Sequence, residues 1–270
     1  MKQFVVFFAL VAAVAANTIA QPGFPEGRII NGYEALAGEA PYIVSLQTTA
    51  GSHFCAGSLI SAKCIATAAH CLTYANSLAV AAAHGRSSKE DTQVRQISSS
   101  DHIVHENYSG GVGPYDIGLI IVKTPFNLNA IARDGSAPVA SIALQPKKLE
   151  GSTDGTLYGW GRDNSGALPE KLQKLDVNII DHVQCKAALP ANSKVADSNV
   201  CTYTAGTSDG ACNGDSGGPL IIRSTDGTAY LIGIVSWGYT PCASTYYPSV
   251  YTETNSYLDW IAEKVAAVEN

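Results

Sequence analysis

The chain has 270 residues, 46% of them apolar and only 15% charged, against about 25% charged in an average soluble domain. Disorder needs low hydrophobicity and high net charge, so a disordered or fibrous protein is excluded. A net charge of −6 offers no basic surface to nucleic acid, and the length allows one large domain or two small ones with real cores.

In chain order, Lys2 precedes an apolar run from Phe4 to Ala16. A bilayer-spanning helix takes roughly 17–25 apolar residues, so this run is too short to be one. A positive start, a short apolar core and the small residues Val14 and Ala16 predict a secretory signal over 1–16, a secreted product and no membrane partner. Seven cysteines in an oxidising compartment predict disulfides with one cysteine left over. In residues 17–28, Pro22, Gly23, Pro25 and Gly27 preclude regular structure and favour proteolytic nicking. That segment ends at Arg28, before Ile29-Ile30-Asn31-Gly32.

The body reads as all-β. Short Val-, Ile-, Leu-, Thr- and Tyr-rich runs recur at 42–47, 58–60, 117–122, 157–159, 172–180 and 230–236, with Gly, Pro, Asn, Asp and Ser between them. Such spacing predicts a sandwich or barrels. One helix closes the chain: Ser256-x-x-Asp259 has the pattern of a capping box, and Leu258, Ile261, Val265 and Val268 recur at helical spacing.

Chemistry concentrates at Thr67-Ala68-Ala69-His70-Cys71, at Tyr115-Asp116-Ile117-Gly118-Leu119, and at Gly214-Asp215-Ser216-Gly217-Gly218-Pro219-Leu220 behind Cys212. Each alone has a bland reading as a core histidine, a turn-forming acid or a tight loop. Together, in the order His, Asp, Ser, they resemble the chymotrypsin-like (trypsin-type) serine proteases. The resemblance covers the chain after Arg28 and includes Cys55–Ile60, Gly159-Trp160-Gly161, Ser236-Trp237-Gly238 and Pro248–Thr252. It implies two six-stranded antiparallel β-barrels with a C-terminal helix, divided as 29–137 and 138–270.

The resemblance also assigns roles. Ser216 is the nucleophile and His70 its base, while Asp116 holds the imidazole tautomer; backbone N–H groups of Gly214 and Ser216 form the oxyanion hole. Cutting after Arg28 frees the Ile29 amine to pair with Asp215, in a zymogen activated by a trypsin-like protease. The implied disulfides are Cys55–Cys71, Cys185–Cys201 and Cys212–Cys242, which leaves Cys64 as a buried, inert thiol. Gly210 forms the floor of the substrate pocket and Gly238 and Ser249 its walls, with Ala211, Ser236 and Trp237 completing the lining. An uncharged floor and an open mouth predict cleavage after apolar or aromatic residues. Asp209 reaching the pocket would give trypsin-like cleavage instead, and narrowing by Ser249 would give elastase-like or collagenolytic cleavage. A homologue that has lost the triad and serves as a binding module is the non-enzyme alternative, and the retained His70, Asp116 and Ser216 argue against it.

Other candidates are weaker. His102-Ile103-Val104-His105-Glu106 lacks the His-Glu-x-x-His order of zinc proteases and reads as a surface strand. Only Glu90-Asp91 stands where trypsin-type calcium loops carry several acids, so no metal and no cofactor is expected. Asn107-Tyr108-Ser109 is a glycosylation sequon. The expected product is a monomeric digestive endopeptidase acting on protein and peptide substrates.

Overall fold

A computed structural model describes residues 29–88, 91–131, 138–243 and 246–269. The predicted signal and pro-segment, residues 1–28, lie outside the described residues, as do Arg28 and Glu90.

The first half contributes β1 (Tyr33–Glu34), β2 (Ile43–Gln47), β3 (His53–Leu59), β4 (Cys64–Thr67), β5 (Asn76–Ala81), β6 (Gln93–Ser98), β7 (His102–Val104) and β8 (Gly118–Ile121). Seven of these pair in the order β6-β5-β2-β3-β4-β8-β7. The strands at the two ends of that path, β6 and β7, are consecutive in the chain. The turn Ser99–Asp101 breaks one run into two halves, one on β5 and the other on β8. Asp101 makes the break, because its carboxylate accepts from the backbone N–H and hydroxyl of Ser98, both at 2.8 Å. β2 and β4, in the middle of the sheet, are buried along their whole length, including the polar side chains of Ser45, Gln47 and Thr67.

The second half contributes β9 (Ala143–Leu144), β10 (Ser152–Gly159), β11 (Gln173–Ile180), α1 (His182–Ala188), β12 (Asn199–Thr202), β13 (Pro219–Arg223), β14 (Ala229–Trp237), β15 (Ser249–Glu253) and α2 (Leu258–Glu269). Strands β10 to β15 close into a six-stranded antiparallel barrel through the β11–β12 pairing. The two-barrel, all-β architecture with a C-terminal helix is therefore present.

Both ends of the described chain cross over. β1 pairs with β11 of the second barrel, so residues 33–34 leave the half to which the 29–137 division assigned them. From α2, Ile261 is buried and Trp260 and Val265 pack in the core that contains Val44, Leu59 and Ile120 of the first barrel. Two details of the predicted helix differ. Ser256 lies in the turn Thr254–Tyr257 before the helix, and its hydroxyl donates to Glu253 Oε2 at 3.1 Å, so no capping box forms with Asp259. Val268 is exposed because the last helical turn runs past the core.

Three disulfides join Cys55 to Cys71, Cys185 to Cys201 and Cys212 to Cys242. Cys64 is buried at the start of β4, outside these bridges.

Candidate active site

The site is assembled at strand ends. β4 runs out of the first core into the turn Ala69–Cys71, which carries His70 and is tied back to β3 by the Cys55–Cys71 bridge. Asp116 lies at the head of β8 and is almost completely buried, at 1% exposure. An ionised carboxylate in that position needs donors, and three reach it. The His70 backbone N–H donates to Oδ1 at 3.0 Å, His70 Nδ1 lies 2.8 Å from Oδ2, and the Ser236 hydroxyl donates to Oδ2 at 2.6 Å. Thr252 Oγ1 donates to the Asp116 carbonyl at 2.9 Å. Because a carboxylate only accepts, the proton of this pair sits on His70 Nδ1, and Nε2 is the nitrogen left with a lone pair. The His70 side chain is 31% exposed. Its neighbours Cys55 and Cys71 have donor atoms close enough to form a metal-like cluster, but their sulfurs are bonded to each other and offer no thiolate.

Ser216 sits in a tight loop before β13. The Asp215 N–H donates to the Cys212 carbonyl, the Gly218 N–H to the Asp215 carbonyl, and the Ala56 N–H to the Ser216 carbonyl, at 2.8–2.9 Å. Among the described residues no hydrogen bond joins Ser216 Oγ to His70, as is common in a serine–histidine pair without substrate. Gly214 has φ +103°, a left-handed backbone that any Cβ would strain.

Two buried groups hold this loop from behind, His53, which stands in no motif, and Asp215. His53 Nε2 donates to the Gly214 carbonyl at 2.9 Å, and its Nδ1 lies 2.8 Å from Ser45 Oγ. Burial pushes the His53 imidazole down to about 4, so the ring is neutral and works as a donor-acceptor bridge. Asp215 is fully buried and accepts from Gly161 N–H at 2.7 Å and Cys212 N–H at 2.9 Å. A Cβ on Gly161 would lie 2.2 Å from its carboxylate, which is why glycine stands there. Burial pushes the Asp215 carboxyl up to about 6. Ile29 is buried against Leu157, Val200 and Tyr251, and Ile30 bridges to Gly210.

Beside Ser216 opens a cavity of about 210 Å³. Ala211, Ser236, Trp237, Gly238 and Ser249 are among the residues that line it. Gly210 is not among the lining residues; a Cβ there would come within 2.8 Å of Ser249 Oγ, which does line the cavity. Tyr239 and Tyr247, missed in the sequence, add a tilted ring pair with centroids 4.6 Å apart. No carboxylate lines the cavity among the described residues.

Residues 29–261 match the protein family described as Trypsin. A protein named lectizyme from Glossina austeni is 54% identical over 269 residues, covering 98% of this chain and 97% of the relative. A trypsin from Sarcophaga bullata is 34% identical over 98% of this chain and 99% of the relative, and an anionic trypsin from Canis lupus familiaris is 35% identical over 96% and 98%. The chain belongs to the trypsin family of serine proteases. It is accordingly a serine endopeptidase of the chymotrypsin-like class, and its substrates are proteins.

Proposed function

We propose that the chain is the precursor of a secreted, monomeric endopeptidase that cuts peptide bonds through Ser216, His70 and Asp116. The observation that carries this reading is the buried Asp116 carboxylate, which receives three donors beneath the half-buried His70 ring. Ser216 Oγ attacks the substrate carbonyl carbon while His70 Nε2 takes its proton. The carbonyl oxygen becomes an oxyanion, which the N–H groups of Gly214 and Ser216 receive. His70 then gives the proton to the amine nitrogen, the C–N bond breaks, and an acyl-enzyme remains. Water attacks in the same manner and restores Ser216. Asp116 stays ionised throughout and stabilises the imidazolium. A fluorophosphonate reagent is expected to label the activated protein and not its Ser216→Ala variant, with Asp116→Asn losing about 10⁴-fold in kcat. An unlabelled activated protein would overturn the reading in favour of a binding module.

Activation follows from Asp215. A fully buried carboxylate with two backbone donors, and no cation beside it among the described residues, is expensive. Cutting after Arg28 supplies the missing charge as the Ile29 amine, and docking of Ile29 in the second barrel supports this arrangement. Since an α-amine titrates near 8, activity falls at alkaline pH as that charge is lost.

The uncharged cavity, with Ser249 in its lining, favours apolar or aromatic side chains before the cut. Such a pocket does not hold Arg28, so a trypsin-like protease activates the precursor. A second reading rests on Asp209, next to Gly210: burial raises the Tyr251 hydroxyl and the Asp209 charge adds to it, and that charge turned into the pocket would select basic residues. Peptides varying only the residue before the cut separate the two. A preference for Arg or Lys that disappears in Asp209→Asn would overturn the apolar assignment.

A further inference from the structure

Tyr115, immediately before Asp116, holds a left-handed backbone with φ +64°, a conformation that a bulky side chain adopts only under outside constraint. The constraints are specific. The Tyr115 N–H donates to the Tyr257 hydroxyl at 3.2 Å, and that hydroxyl donates onward to Ser198 Oγ at 3.1 Å. The Tyr115 carbonyl accepts from the Ile117 N–H at 2.8 Å, which turns the backbone tightly about Asp116. The Tyr115 ring lies 4.9 Å from His105, which lies 5.0 Å from Trp260 on its other side, at interplanar angles of 31° and 30°. Tyr257 meets His105 and Tyr115 edge-on.

The stack is itself anchored. Trp260 Nε1 donates to Glu106 Oε2 at 2.8 Å, and Lys264 pairs with Glu106 at 2.6 Å, so α2 grips the segment bearing His105. That segment is fastened to the far side of the same turn, where the His105 N–H donates to the Ile117 carbonyl at 3.2 Å. Tyr115, His105 and Trp260 are only half-buried. Tyr115 and Trp260 pack against the edge of the main core, and their ring contacts with His105 also fix a backbone turn.

We infer that this ring stack is a positioning device: Tyr115, locked by Tyr257, His105 and Trp260, sets the aim of the Asp116 carboxylate at His70. The turn is held upstream by the Tyr257 hydroxyl and downstream by Thr252 Oγ1 on the Asp116 carbonyl. With both ends pinned, the Asp116 side chain has one direction. Release of the upstream pin lets the Tyr115 backbone relax toward φ < 0 and swings the carboxylate away from Nδ1. The inference rests on the triad reading above.

The test uses the activated full-length protein and reads kcat and KM separately. Tyr115→Gly removes the ring and tolerates the backbone, and Tyr257→Phe removes only the hydroxyl pin. Displacement of a catalytic group by about 1 Å costs on the order of 10²-fold. Tyr115→Gly is expected to lose kcat on that scale with KM unchanged, Tyr257→Phe less, and Tyr115→Phe to recover most of the loss. Wild-type kcat in Tyr115→Gly and Tyr257→Phe, with a lower melting temperature only, would overturn the inference. If Tyr115→Gly does not fold, Tyr257→Phe carries the test alone. Full activity in Asp116→Asn would instead overturn the triad reading, and the inference with it.

Discussion

At the residue scale, two buried titrating groups flank one loop with opposite pH behaviour. His53 is pushed down to about 4, so the unfolded chain binds more protons between there and the ordinary histidine value. Its contribution to stability is complete above about 6.5 and is lost as pH falls toward 4. Asp215 is pushed up to about 6, so its contribution is complete below about 3.9 and is lost as pH rises through 6. In the uncut precursor the two slopes oppose each other. After cleavage the Ile29 amine is expected to hold Asp215 ionised, which removes the second slope. Measured by denaturant unfolding on the Ser216→Ala background, the cut form is expected to gain stability over the precursor between pH 4 and 7, by on the order of 3 kcal/mol. Parallel pH curves for the two forms would count against the pairing. Ser236 offers a simpler expectation. Ser236→Ala leaves the buried Asp116 carboxylate one donor short, a loss of roughly 1.5–3 kcal/mol for a bond to a charged group. A drop of about tenfold in kcat/KM would show that the hydroxyl serves Asp116 as well as lining the pocket.

At the scale of elements, strands were legible where a run was apolar and flanked by turn residues. The predicted 42–47 and 172–180 runs correspond to β2 and β11 to within a residue. The motif residues were legible because their chemistry is local: His70 and Ser216 each stand in a short diagnostic string. What stayed hidden depends on long-range contacts. His53 reaches Gly214 across 161 residues and Ser236 reaches Asp116 across 120, and nothing in either local string announces the partner. Helix α1 was missed although Asp181-x-x-Gln184 is a helix-start signature. The Asp181 side chain accepts from Gln184 N–H at 2.9 Å and from Gly151 N–H at 2.8 Å. Conversely, the Ser256-x-x-Asp259 pattern failed because Ser256 already lies inside a turn. Asp181→Ala is expected to cost about 1 kcal/mol, read as a lower urea midpoint with activity retained.

At the scale of the whole molecule, the two barrels are interlocked by the ends of the chain. β1 lies on the second barrel, and α2 packs against the first. Neither half keeps a complete core when separated from the other, so calorimetry is expected to show a single cooperative transition, with calorimetric and van't Hoff enthalpies in agreement. Two resolved transitions would show that the halves unfold independently.

The three disulfides bear on how long such an enzyme survives. Their loops span 16, 16 and 30 residues, and each closes within one half. Viewed as a covalent graph, the chain from Cys71 to Cys185 is a single unbranched path. One nick anywhere along it divides the protein into two pieces that non-reducing electrophoresis should separate, although native packing holds them together in solution. In a fluid full of proteases, working life is therefore set by the segment of that unbridged path that opens most readily. The bridges guard the loops they close, and the span between them relies on folding alone.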